Sequence, residues 1–208
     1  MDLLLQIWGG GCYLCNKILF SVSESQDAVI KRKLKIVGWL VYILGVPAWV
    51  VILVANNDWI AASIEAGGIP SMLLGLYNTL YNHQKVNHFF NRFVFVCTYS
   101  SLVFGLSFSV YHHDGIASLT QILELGVMLG FLLGSYLLAK GNVNGWLFFM
   151  LMNISMAALM FIQEKPILMS QQLLSLCFVL CALFFMGLQK RVAILCHRCL
   201  GSVWIFER

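Results

Sequence analysis

Charge is what this sequence has least of. Asp, Glu, Lys and Arg make up 11% of its 208 residues while apolar residues reach 60%, against about 25% and about 45 to 50% in an average soluble domain. That balance excludes a soluble fold and leaves an all-α, polytopic membrane protein. A formal charge of +4 would suggest acidic partners for a soluble chain; in a membrane the placement of Lys and Arg counts instead, and nucleic acid is not implied. A phosphate-binding GxxxxGKS loop is missing, so ATP is not the direct drive of any activity. Also missing is a nucleophile–base or metal set with fitting spacing, which argues against a membrane-embedded enzyme and leaves no catalytic residue to assign. The predicted outer loops hold no cysteine, which speaks against an oxidised extracellular framework. Cys12-x-x-Cys15 and Cys196-x-x-Cys199 together have the composition of a zinc site, yet some 180 residues separate them, and neither a metal nor another cofactor is expected. The opening MDLLLQIWGGG has no basic n-region and no small-residue cleavage site, so it is expected to belong to the mature chain.

What the sequence does have is a series of apolar runs. Gly145–Ile162 and Pro166–Leu188, joined by Gln163-Glu164-Lys165, form a helical hairpin of membrane-spanning length. Ile36–Ala55, Trp59–Leu80, Phe93–Tyr111 and Gly115–Ala139 bring the strong spans to six. Residues 1–21, apolar but broken by glycines and carrying Lys17, either make a seventh crossing or lie on the membrane. Turns at Asn56-Asn57-Asp58 and His112-His113-Asp114 alternate with basic junctions at 31–35, 83–92, 140 and 189–191. Along that topology Lys and Arg at 31, 32, 33, 35, 85, 92, 140, 190, 191, 198 and 208 share one side, and Lys165 stands alone on the other. An excess of this kind marks the cytoplasmic face, so a multi-pass inner-membrane protein with a cytoplasmic C-terminus is expected. The tail 192–208, with Trp204, Ile205 and Phe206 beside basic residues, reads as interfacial.

Shifting the chain by 107 residues lays Gly38-Trp39-Leu40 on Gly145-Trp146-Leu147, Ser63 on Ser170 and Glu65 on Gln172, with no gap across two helices and their loop. The identities are eight over the 44 positions from Gly38 to Tyr81; the tryptophan match and the equal loops carry more weight. This predicts one transporter-like domain over 1–208, with repeat one at about 1–82, a linker helix at about 90–112, repeat two at about 115–191 and the tail after it. Two parallel three-helix repeats around a linker, 3+1+3, hold a substrate near the midplane between the halves.

Three stretches carry a resemblance to a known family: Asn144-Gly145-Trp146 followed by Asn153, Ser135-Tyr136-Leu137-Leu138-Ala139-Lys140, and Leu73-Leu74-Gly75-Leu76-Tyr77-Asn78. The chain resembles, over roughly 36–82 and 117–191, the PnuC family of bacterial vitamin transporters. It departs from that pattern at Met186-Gly187-Leu188-Gln189-Lys190, and Val46 stands at the first-half position matching Asn153. The resemblance implies import of nicotinamide riboside, or in related branches of thiamine or another B vitamin, by facilitated diffusion with alternating access and with a cytosolic kinase trapping the product. The expected partners are therefore a small-molecule substrate and the lipid bilayer; a homo-oligomer is compatible with both. A non-transporting scaffold is the rival reading, and it would tolerate replacement of Asn153 and Glu124.

Polar residues inside the spans are the candidate substrate contacts, because hydrocarbon cannot satisfy them. Asn153 lies mid-span, where its amide suits a carboxamide or a ribose hydroxyl; its alternative is an interhelical hydrogen bond. Glu124 shares a helix strip with Thr120 and Gln121 at i−4 and i−3. A carboxylate at such depth costs at least ~2.5 kcal/mol, which a cationic pyridinium or thiazolium would offset. Gln171 and Gln172 enter the returning helix of the hairpin, and Glu65 lies nearer an outer helix end, before Gly67-Gly68 and Pro70, where it either contacts substrate or snorkels to water. Trp39 and Trp146 each begin a helix at the inner interface, as belt residues or as a stacking platform worth about 2 kcal/mol to a desolvated cation. Tyr77 and Asn78 lie near the cytoplasmic end of their helix. Gly126, Gly130 and Gly134 recur every four residues and are read as a close helix contact.

Overall fold

The computed structural model describes residues 2–55, 58–81, 88–112 and 118–203, and side chains as far as Leu188. The turn Asn56-Asn57, the junction at His83 and Lys85, His113-Asp114 of the following turn, the side chains of the basic end at 189–191 and of Cys196 and Cys199, and the tail at Trp204-Ile205-Phe206 lie outside what is described. Seven helices make up the described residues: α1 (Asp2–Ser23), α2 (Ala28–Ala55), α3 (Trp59–Leu80), α4 (His88–His112), α5 (Leu119–Ala139), α6 (Gly145–Ile162) and α7 (Pro166–Val203). Residues 2–23 are thus a full helix despite their glycines.

Among the described residues five helices are long and apolar enough to cross a membrane: α2, α4, α5, α6 and the first part of α7. They correspond to five of the six strong spans expected from sequence. The sixth, Trp59–Leu80, is a complete helix of 22 residues that carries Glu65, Gly67, Gly68, Pro70 and Asn78. Its place in the bundle suits those residues, since α3 packs against α2, α4 and α5 and its polar groups find protein partners. The outward surface is apolar, with Val51, Val96, Val103, Ile154, Phe161, Leu180 and Phe184 all exposed. So wide an exposed apolar surface suits lipid and not water.

Neighbouring helices close a ring. α1 packs on α2, α2 on α3, α3 on α5, α5 on α6, α6 on α7, and α7 returns to α1, while α4 lies outside against α3 and α5. Small residues set the closest approaches. A methyl group on Gly130 of α5 would sit 2.6 Å from the Phe148 carbonyl oxygen of α6, and one on Gly134 2.7 Å from the Phe149 ring, so the Gly126, Gly130 and Gly134 face is a helix contact as read from spacing. The ends are capped locally. Asp58 accepts from the Ala61 N–H at 3.1 Å and Ser118 from the Gln121 N–H at 3.2 Å, which satisfies donors that a helix start leaves open. At the α5 end Gly141 takes φ 73° while Asn142 N–H reaches back to the Leu137 carbonyl at 2.8 Å, a left-handed stop that glycine permits. The three-residue links 56–58 and 163–165 occupy equivalent places: Ala55 and Ile162 end their helices, and Trp59 and Pro166 begin theirs, 107 positions apart.

Candidate functional site

The helix ring converges on aromatic rings. Tyr42 of α2, fully buried, meets Trp39 in a stacked pair at 6.3 Å and meets Phe131 of α5 and Phe149 of α6 edge-on, each at 6.3 Å. Trp146, buried one turn before Phe149, closes the set at 6.3 Å. Packing of this kind is ordinary core chemistry. What is not ordinary is the cation inside it. Lys17 of α1 is 1% exposed, and its ammonium stands 3.1 Å from the Phe149 ring centroid and 4.9 Å from that of Tyr42.

Polar groups on α1, α2, α3, α5 and α6 belong to the same part of the bundle. Tyr13, one turn before Lys17, donates its hydroxyl to Glu65 Oε2 of α3 at 2.7 Å and lies edge-on to Tyr42 at 4.9 Å. Lys17 Nζ makes no hydrogen bond with that carboxylate. The Tyr42 hydroxyl pairs with Ser135 of α5 at 3.3 Å. Asn16 Nδ2 donates to the Gly38 carbonyl at 3.0 Å, and Asn153 Nδ2 to the Phe149 carbonyl of its own helix at 2.7 Å. Six buried side-chain atoms make no hydrogen bond among the described residues: Asn16 Oδ1, Lys17 Nζ, Trp146 Nε1 and Asn153 Oδ1 on the residues just named, together with Trp49 Nε1 and Asn91 Oδ1. Leaving such a group unsatisfied costs about 1 to 3 kcal/mol, so the first four call for an explanation beyond packing. Together they offer two acceptors, one indole donor and an ammonium beside flat aromatic faces. Such a set can hold a planar molecule that carries both hydrogen-bonding edges and charge.

The structure sorts the residues singled out by sequence. Asn153, Trp146 and Trp39 are buried in or beside the aromatic set, and Glu65 joins it through Tyr13. Glu124 does not. It is exposed and lies five residues after Leu119, the first residue of α5. At about 100° per residue it points roughly opposite to Gly126, which meets Ser155 of α6. Of the residues expected to share its strip, Thr120 pairs with Ser118 at 3.0 Å, and buried Gln121 donates to Ser109 of α4. Asn78 is a tie between helices, donating to the Ala139 carbonyl at 2.8 Å. Tyr77 packs on Tyr81 and Phe90. Gln171 lies against Gly10 of α1, and Gln172 is half-buried on α7. A shallow cleft of about 230 Å³ between α3 and α4, lined by Ser63, Ile64, Ser100, Ser101 and Phe104, brings none of these residues together.

Sequence reasoning missed Lys17, Asn16, Tyr13, Tyr42 and Phe149. One signal was available: a lysine in an apolar run is expensive in lipid and marks function by default. Cys12 and Cys15 are free thiols on α1. The fold and the site define an all-helical bundle with five helices of membrane-crossing character and a cation enclosed by aromatic rings. No family model, no curated protein and no solved structure matches the chain.

Proposed function

We propose that the chain is a membrane transporter that carries a small flat heterocycle by alternating access, with nicotinamide riboside as the first substrate to test and thiamine or another B vitamin as the second. The observation that carries this reading is the buried Lys17 ammonium over the Phe149 and Tyr42 rings, with Trp146 Nε1 and Asn153 Oδ1 unsatisfied one turn to either side of Phe149 on α6. A transporter needs such a site midway across the bilayer, and a scaffold does not. In this reading Asn153 Oδ1 accepts from a carboxamide, the Trp146 indole N–H donates to its oxygen, and Tyr42 and Phe149 flank the ring. The closed helix ring supports it as well. α1, α2 and α3 on one side and α5, α6 and α7 on the other, with loop positions 107 residues apart, are the layout expected of two parallel repeats around α4, with the substrate between them.

The test is a thermal-stability screen of the detergent-purified protein against nicotinamide riboside, thiamine, riboflavin and nucleosides. A ligand that binds only the folded state raises the melting temperature, by an amount equivalent to about 2.7 kcal/mol at a hundredfold excess over Kd. A selective shift with a pyridinium or thiazolium compound, followed by uptake into proteoliposomes, is the expected result. No shift from folded protein, together with unchanged uptake for Asn153→Ala, would sink the reading and favour a scaffold.

A further inference from the structure

Lys17 has no counterpart in the transport reading. Its ammonium fills the position over the Phe149 face, close to Tyr42, that a cationic substrate ring would take. We infer that the aromatic box is a cation site occupied by the protein's own Lys17, which competes with substrate and must leave before a cationic substrate binds. This rests on the proposed function for its choice of substrate class, and it reverses the simplest picture, in which a cation enters an anionic pocket.

Three observations carry it. The ammonium lies 3.1 Å from one ring centroid, which is contact distance for a cation held on a π face. It makes no hydrogen bond among the described residues, so what holds it is the box itself, as would be true of a quaternary or aromatic cation. A place to go lies nearby. Tyr13 and Lys17 are one turn apart on the same face of α1, and Tyr13 already holds Glu65 of α3 at 2.7 Å. A lysine stem has enough rotatable bonds to swing from the ring to that carboxylate. In the swung state Lys17 and Glu65 neutralise each other, and the box is left to the incoming cation. The displaced lysine then returns as substrate departs, so it re-closes the site after each cycle.

The experiment uses the full chain, purified in detergent, with 1-methylnicotinamide as the cationic probe and nicotinamide as its neutral partner. If the box is free about a tenth of the time in the unmodified protein, Lys17→Met should bind 1-methylnicotinamide about tenfold more tightly, and nicotinamide, which needs the same ring face, should gain by a similar factor. Adding Phe149→Leu to that variant should remove the gain. On the unmodified protein, reductive methylation read by mass spectrometry should find Lys17 protected without ligand and labelled when 1-methylnicotinamide is saturating. Unchanged affinity in a folded Lys17→Met would overturn the inference. So would a gain in affinity without any rise in Lys17 labelling, which would make Lys17 a bystander that merely repels cations. If Lys17→Met does not fold, the labelling on the unmodified protein decides alone. Uptake is scored separately: tighter binding with displaced Lys17 but no uptake of nicotinamide riboside or thiamine defeats the transport reading only, and uptake with an immobile Lys17 defeats this inference only.

Discussion

Glu24 shows how a single residue ties the start of the bundle together. It sits in the link between α1 and α2, its side chain 4% exposed, with Lys31 at 2.6 Å and Lys35 at 2.9 Å. Burial alone would raise its pKa, but Lys35 and Lys31 outweigh burial and hold the carboxyl below its ordinary value of 4.5. A lowered folded pKa means that ionised Glu24 stabilises the fold above pH 4.5 and that this contribution fades as pH falls through the lower folded value. Glu24→Gln should therefore cost about 1 to 2 kcal/mol at pH 7, the lysines being partly solvated. The gap in melting temperature between the two proteins should close on acidification, and a gap that stays constant below pH 4 would refute the ion-pair account. At the central site the residue scale was only partly legible. Asn153, Trp146 and Glu65 could be read because amides, indoles and acids are conspicuous in apolar runs. Tyr42 and Phe149 could not, because an aromatic in a helix of apolar neighbours has the same spacing whether it packs or binds. The exposure of Glu124 was not legible, because its depth depends on where α5 begins, and the sequence at 115–118 offers no clear break to mark that start.

Helix pairs are held by glycines whose cost of substitution follows from what each one touches. Gly130 of α5 faces backbone: a methyl group there would lie 2.6 Å from the Phe148 carbonyl oxygen and 2.7 Å from the Met152 nitrogen. Gly126 faces the Ser155 hydroxyl, which has rotamers to give. Gly130→Ala is expected to destabilise by about 1 to 3 kcal/mol through overpacking, and Gly126→Ala by clearly less. Gly11 meets nothing within 4 Å, so Gly11→Ala should be neutral or gain up to ~1 kcal/mol of helix propensity. Melting temperatures of the three variants in one detergent check the order, and equal losses would mean that spacing and not contact sets the effect. The turn between α6 and α7 adds a stabilising change. Glu164 holds φ 55° in the left-handed region that disfavours side chains, so Glu164→Gly should raise stability by a few tenths to ~1 kcal/mol. Helix existence and the loop at 163–165 were legible at this scale, since apolar runs of spanning length and a Pro start leave little choice.

The whole molecule poses one question that adjacency alone can answer: whether α1 crosses the membrane. Contacts between α1 and α2 run in opposite senses over residues 8–20 and 38–49. Phe20 lies against Gly38, Asn16 bonds the Gly38 carbonyl, Cys12 and Tyr13 face Gly45, Gly9 faces Ala48 and Trp49, and Trp8 donates to the Leu44 carbonyl at 3.1 Å. α2 is long and apolar enough to span, so a helix antiparallel to it over residues 38 to 49 shares its depth. With 22 residues and about 1.5 Å of rise for each, α1 reaches roughly 33 Å, enough for a hydrocarbon core of about 30 Å. Its end joins the basic face, where Glu24 meets Lys31 and Lys35 and Arg32 bonds the Thr79 carbonyl at the end of α3. Lys17, buried in the bundle, then costs far less than it would in lipid. The expected arrangement is then a seventh crossing by α1, with residue 1 on the face opposite to that basic cluster. A periplasm-active reporter fused at residue 1 should be active, as should one inserted at 163–165, while a cytoplasm-active reporter should work at 141–144. Cytoplasmic activity at residue 1 would place α1 on the membrane surface, pull Lys17 away from Phe149 and Tyr42, and undo the cation site along with the seventh crossing.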